Sequence, residues 1–204
     1  MLPKQQFMEF LEEIIPGSGN QLMDQFTEFH RLLVDVNSRI NLYSRQMNSD
    51  DIWTVHFLDS LLLFKCADLQ NERVLDFGSG GGLPGIPLKF VKPHLDMILL
   101  DAKAKKVKAL QEIIQSLKLQ ACQPVWSRLE DYHVDEKFDV IVCRSVKITP
   151  SYRDSLLRLL KKNGRIYLYK SRSWEDAELF SSFTVHDVSH QAVGTRNIIE
   201  IGKI

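Results

Sequence analysis

The chain has 204 residues, 44% of them hydrophobic and 25% charged, the balance of a globular protein with one domain or a domain and a small appendage. The formal net charge is zero, yet residues 1–70 hold 5 Lys/Arg against 10 Asp/Glu and the remainder 21 against 16, a basic excess that permits nucleic-acid binding without demanding it. No apolar run approaches a membrane span, the opening MLPKQQFMEFLEE lacks the apolar core of a secretory signal, and three separated cysteines (Cys66, Cys122, Cys143) argue against a disulfide framework and for a cytoplasmic setting.

Residues 1–70 form the first predicted unit, a helical extension packed on the sheet that follows. Phe7, Phe10, Leu11, Ile14 and Ile15 recur at helical spacing until PGSGN breaks the pattern. Leu22, Phe26, Phe29, Leu32, Leu33 and Val36 predict a second amphipathic helix. Trp53, Phe57, Leu58, Leu61, Leu62 and Phe64 predict a third, on which His56 and Asp59 share a face.

From residue 72 the period changes, and residues 71–204 form the predicted core. RVLDF (73–77), DMILL (96–100), CQPVW (122–126), FDVIVC (138–143) and RIYLYK (165–170) predict buried strands. Helical segments at 84–91, 103–119 and 151–161 alternate with them, which implies an α/β fold with a mostly parallel sheet. FTVHDV (183–188) and RNIIEI (196–201) leave no room for a helix between them and predict a closing hairpin, with one strand antiparallel.

LDFGSGGGLPGIPL (75–88) links the first strand to a helix, the place where doubly wound folds bind nucleotides. Gly80, Gly82 and Gly85 satisfy G-x-G-x-x-G, and Asp101 closes the second strand where an acid grips a ribose hydroxyl. A dinucleotide would fit that pattern. Pro84 and Pro87, however, remove backbone donors from the first helical turn, and Asp76 would face a pyrophosphate as one anion faces another. S-adenosylmethionine, with a ribose, an ammonium, a cationic sulfur and no phosphate, suits the two acids better. The bland alternative is a tight turn with Asp76 capping it.

Lys103, Lys105, Lys106 and Lys108 crowd the start of one helix, where the dipole disfavours cations. Arg128, Lys147 and Arg172 follow the third, fourth and fifth strands. Loops at those strand ends share one rim, so together these cations predict a basic mouth for RNA phosphates, although each alone reads as a surface residue rather than a site. Cys143 ends an apolar run without a preceding proline loop, which favours core packing over a nucleophilic thiolate. The scattered histidines lack metal-ligand spacing.

DFGSGGGLPGIPL followed by LLDAKAKKVKAL resembles the bacterial 16S ribosomal RNA guanine-N7 methyltransferases, the glucose-inhibited division protein B family. INLYS (40–44), VHFLDSL (55–61), SRLEDY (127–132), FDVIVCRS (138–145), GRIYLYK (164–170) and the closing TRNIIEIGKI extend the likeness over nearly the whole chain. The resemblance implies a seven-stranded class I methyltransferase fold. It also implies S-adenosylmethionine as cofactor and methylation of one guanine, position 527 in the usual numbering, in 16S rRNA or the small ribosomal subunit particle. Carried over residue by residue, Gly78, Gly80 and Leu83 would line the cofactor loop beside Asp76 and Asp101. Leu129 and Glu130 would frame the adenine, Arg144 would lie at the junction of cofactor and substrate, and Lys170 would join the RNA side with Lys105, Lys106, Arg128, Lys147 and Arg172. Cys143-Arg144-Ser145, Lys170-Ser171 and Tyr43 depart from the family's usual residues, all on the presumed RNA side. Two other functions stay open: methylation of another RNA base or a small molecule, and a non-catalytic RNA-binding assembly module.

Overall fold

The computed structural model describes residues 1–202, so the final two residues of TRNIIEIGKI lie outside the described residues. Helices α1 (Pro3–Ile14) and α2 (Gly19–Arg39) bury the apolar stripes that their spacing marks out, including Phe7, Phe10 and Leu11 on α1 and Phe26, Phe29 and Leu33 on α2. The third predicted helix is a composite. Residues Ser49–Asp51 are 3₁₀, Ile52–Leu58 are a π-helical stretch, Asp59–Leu61 are α-helical (α3), and Leu62–Lys65 return to 3₁₀. Periodicity alone does not separate these windings, because each keeps the same apolar side turned inward.

Seven strands follow: β1 (Arg73–Phe77), β2 (Asp96–Asp101), β3 (Cys122–Trp126), β4 (Phe138–Arg144), β5 (Leu160–Lys170), β6 (Thr184–Asp187) and β7 (Asn197–Gly202). They form one sheet in the order β3-β2-β1-β4-β5-β7-β6. The pairings among β1 to β5 are parallel, and β7 runs antiparallel to both β5 and β6, as the closing-hairpin pattern predicts. Helices α4 (Gly85–Val91), α5 (Ala104–Ser116) and α6 (Pro150–Leu159) connect the parallel strands. Helix α6 begins with Thr149, whose hydroxyl accepts from the Tyr152 N–H at 3.2 Å, ahead of Pro150 in the first turn.

One expectation needs correcting. CQPVW is not a buried strand: β3 is an edge strand, half-exposed along its length, and Trp126 is 67% exposed. Hydrophobic composition marks a strand but does not say whether both of its faces are covered.

Two apolar layers cover the sheet. The aromatic cluster of Phe7, Phe26, Phe29, Trp53, Phe57 and Phe90 ties the N-terminal helices to α4; Phe7–Phe26 centroids lie 4.7 Å apart, Phe26–Phe90 5.0 Å, and Phe29 stacks on Phe57 at 5.3 Å. The N-terminal helices therefore bury their apolar side in the same cluster as Val74 and Leu99 of the sheet and Leu110 of α5. The opposite face packs Phe77, Leu100, Ile141 and Leu168 against Leu156 and Leu159 of α6. Burial on both faces is what a parallel sheet requires.

Candidate functional site

The strand order reverses between β1 and β4, and a crevice opens outside the carboxyl ends of the strands at such a switch point. Here it is a cleft of about 390 Å³, floored by Gly78–Gly81 and walled by Leu42–Ser44, His56, Asp101, Lys106 and Arg144. The Leu42–Ser44 wall is set by Asn37 near the end of α2, whose buried side-chain oxygen accepts from the Leu42 and Tyr43 N–H groups at 2.7 and 3.1 Å.

The glycine loop has a steric explanation. Gly78 has φ +76°, and a Cβ there would sit 2.6 Å from the Val146 side chain. Gly85 opens α4 so close to the sheet that a Cβ would lie 2.4 Å from Leu99 and 2.8 Å from the Asp76 carboxylate. Asp101 shapes the loop as well. Its two oxygens accept from the Gly80 N–H at 3.1 Å and the Lys103 N–H at 2.8 Å. A carboxylate offers about four lone-pair directions, so each oxygen keeps capacity for a ligand hydroxyl.

Asp76 caps α4, its Oδ2 accepting from the Gly85 N–H at 2.8 Å. It lies wholly buried beneath the loop rather than on the cleft surface, and its Oδ1 has no partner. Burial pushes its carboxyl up to about 7, with the Gly85 N–H and Arg144 pulling down and Asp101 pushing up.

Arg144, at the end of β4, is clamped rather than free. It donates to the Asp59 carboxylate at 2.9 Å, the Val55 carbonyl at 3.3 Å and His56 Nδ1 at 3.3 Å. A guanidinium has no acceptor, so His56 Nδ1 must accept and the ring proton resides on Nε2. Burial, then the Arg144 charge, hold His56 neutral, its pKa pushed down to about 3, and its Nε2 is buried without a partner. Arg196 completes the network from just before β7, donating to the other Asp59 oxygen at 2.5 Å. Asp59 is 1% exposed, so two arginines share one buried carboxylate.

A second cavity of about 440 Å³ adjoins the first, and Ser145 and Val146 line both. Ser145 has φ +62°, the tight turn by which β4 leaves the sheet. Lys147, Lys170, Asp176 and Arg196 line this cavity, with Lys170 paired to Asp176 at 2.5 Å.

The structure thus gathers Gly78, Gly80, Leu83, Asp101, Lys106 and Arg144 around one cleft, with Asp76 beneath it, and Lys147 and Lys170 around the neighbouring cavity. Others lie apart. Leu129 is buried in the layer of Phe77 and Leu100, while Glu130 is exposed; neither lines the cleft. Lys105, Arg128 and Arg172 are exposed and outside both cavities that meet at Ser145, and Lys105 lines a shallow hollow with Tyr43. Sequence reasoning missed Arg196 and Ser79 as parts of the site, and of the Leu42–Ser44 wall it singled out only Tyr43, on the RNA side. Cys143 is buried, its thiol pushed up to about 12 by desolvation. Among the described residues no group of three or more His, Cys, Asp or Glu is placed to hold a metal ion, and no helix is long and apolar enough to cross a membrane.

A seven-stranded sheet of this order, with a glycine-rich crevice at its switch point, defines the class I S-adenosylmethionine-dependent methyltransferase fold. Magnesium protoporphyrin IX methyltransferase from Synechocystis PCC 6803, solved with bound SAM, shares it with a TM-score of 0.58 at 17% identity, over 86% of this chain and 97% of that one. Within that class the chain belongs to the GidB family, rRNA small subunit methyltransferase G, whose model matches residues 22–197. Proteins named ribosomal RNA small subunit methyltransferase G are 34% identical over 154 residues in Mesoplasma florum and 32% identical over 187 residues in Haemophilus influenzae. The first match covers 74% of this chain and 65% of the relative, slightly under two thirds of its length; the second covers 89% and 91%.

Proposed function

We propose that the chain transfers a methyl group from S-adenosylmethionine to N7 of one guanine in 16S rRNA, acting in the cytoplasm on the RNA or the small-subunit particle. The observation that carries this reading is the pair of joined cavities: a glycine-floored cleft with a strand-end acid meets, at Ser145–Val146, a polar cavity lined by Lys147, Lys170 and Arg196 with Glu175 and Asp176. The family match supports small-subunit rRNA as the methyl acceptor.

The cleft suits the cofactor. Asp101 has acceptor capacity for ribose hydroxyls, and Gly78–Gly80 permit close backbone approach. Three buried polar atoms without partners, His56 Nε2, Asp76 Oδ1 and Ser79 Oγ, belong to residues in or directly under the cleft, and such atoms call for a ligand or water. Bound S-adenosylmethionine supplies an activated methyl group. The chain's own residues must then align the acceptor and exclude competing nucleophiles.

Guanine N7 has an in-plane lone pair and no proton, so no general base is required. The site fits that economy. His56 has its Nδ1 engaged and its Nε2 protonated, and the Cys143 thiol is buried and protonated. Arg144 is held by Asp59 and therefore places fixed positive charge in the back wall instead of reaching for N7, where a cation would oppose methyl transfer. Lys147, exposed and in no ion pair among the described residues, would face the phosphates of a splayed-out loop nucleotide, beside Lys170 and Arg196, which Asp176 and Asp59 hold in place. Release of S-adenosylhomocysteine, measured on small subunits from a strain lacking this gene, should rise with enzyme and map to one borohydride- and aniline-sensitive guanine. Turnover on some other base would leave the methyltransferase reading intact and overturn the N7 assignment.

A further inference from the structure

Trp126 is the one strongly exposed aromatic residue among the described residues. It ends the edge strand β3 in register with Asp101, the cleft acid on β2, so the two backbones are about 4.8 Å apart. The ring is exposed but not loose: its indole N–H donates to the Ala102 carbonyl at 3.2 Å. The following residue is tied down too, with the Ser127 N–H directed at the Asp101 carbonyl at 3.4 Å. The only polar atom of the side chain is thereby satisfied, and what remains outward is an apolar π face held in place.

Exposing an apolar ring of this size at a strand end brings no folding benefit. Its chain neighbours include several cations. Arg128 follows it by two residues, Lys103 follows Ala102, whose carbonyl the indole N–H meets, and Lys105 lies in the first turn of α5; all three are exposed, and none forms an ion pair among the described residues. Where a surface cation is answered by an acid, as Arg73 is by Asp96 and Lys161 by Asp139, its charge is spent within the protein; here it is not. Glu130 and Asp131, the nearest acids further along the loop, are exposed and form no ion pair with these three either. A pinned aromatic face among uncompensated cations is the arrangement that binds single-stranded nucleic acid, the cations meeting phosphates and the ring stacking on a base.

We infer that Trp126, with Lys103, Lys105 and Arg128, forms a stacking platform for a nucleotide flanking the methylated one, on the β3 side of the cleft. This rests on the RNA substrate reading and extends the footprint: the strand would pass from the cavity beside β5, across the cleft mouth, to the sheet's opposite edge. Ring anchoring matters to the energetics, because a pre-placed platform loses little side-chain freedom when a base stacks on it.

The test compares Trp126→Ala, Trp126→Phe and the wild-type protein for binding to an unmodified 16S rRNA transcript, with cofactor affinity measured alongside. Trp126→Ala should weaken RNA binding roughly ten-fold, as expected for one lost stacked base, and Trp126→Phe should recover most of it. The salt dependence of binding should keep its slope in Trp126→Ala, since stacking releases no counterions, and should flatten in Lys103→Ala/Lys105→Ala. RNA should quench wild-type tryptophan fluorescence more than that of Trp126→Phe. Equal RNA affinity in wild type and Trp126→Ala would overturn the inference while leaving the function standing. A loss of cofactor affinity with RNA affinity unchanged would overturn it in favour of a ring covering the adenine. Failure of the wild-type protein to bind rRNA at all would instead defeat the substrate reading, and this inference with it.

Discussion

Asp59→Asn tests the network behind the cleft. The carboxylate is 1% exposed and sits 2.9 Å from Arg144 and 2.5 Å from Arg196, whose side chains are only 9% and 19% exposed. The asparagine keeps the shape and removes the charge. Its oxygen accepts from one arginine, and its amide then points donors at the other. The buried Arg144 guanidinium and the partly buried Arg196 are left without an anion. Breaking a buried pair by removing one partner costs about 3–5 kcal/mol, against about 0–1 kcal/mol for a surface pair. Partial exposure of Arg196 lets water recover part of the loss, so about 3 kcal/mol is expected. For a chain of this size that lowers Tm by roughly 6–12 °C. Urea unfolding at neutral pH should show the midpoint moving with an unchanged slope. A loss below about 1 kcal/mol would refute the network as a structural keystone and return Arg144 to the status of a free cation.

Three further outcomes are expected. His56 has a folded-state pKa of about 3 against an ordinary 6.5, so its contribution to stability is present above 6.5 and is lost as pH falls below it. Between pH 7 and 5 the wild-type protein should lose roughly 2 kcal/mol relative to His56→Gln, Asp76 being common to both; parallel stability curves would contradict the buried neutral imidazole. Asp101→Ala, if folded, should weaken S-adenosylmethionine binding by about 1.5–3 kcal/mol, and unchanged affinity by calorimetry would remove Asp101 from the ribose site. Asp76, raised to about 7, is partly protonated near neutrality, and a cationic ligand above it favours the ionised form. Cofactor binding at pH 7 should therefore release a fraction of a proton, read as a binding enthalpy that differs between phosphate and Tris; identical enthalpies would show that the ligand charge does not reach Asp76.

Much of this architecture is legible locally. RVLDF has the bounds of β1 because turn residues flank a short apolar run, and the shift from helical spacing to short strands marks where the sheet begins. Strand ends carry Asp76, Asp101 and Arg144 to one place because parallel topology leaves little choice. Other features have no local signal. β5 begins at Leu160 rather than Arg165, since polar Lys161, Lys162 and Asn163 hide an extended segment directly after α6. The helix predicted over 103–119 stops at Ser116, with Lys118 at φ +54° turning the chain toward β3. Asp59 meets partners 85 and 137 residues away, and nothing in the pattern around Arg196 announces it. Helical spacing puts His56 and Asp59 on one face; only the tertiary structure shows that the shared partner is Arg144.

The central claim is the atom that accepts the methyl group. A 16S rRNA substrate carrying 7-deazaguanine at the target position keeps the base's Watson–Crick edge and its stacking and replaces the N7 lone pair with a C–H. The account predicts that this RNA still binds the enzyme while radiolabelled methyl incorporation falls to background, with full incorporation into the matched guanine control. Continued incorporation into the 7-deaza RNA would contradict it and place the acceptor on another atom or another base.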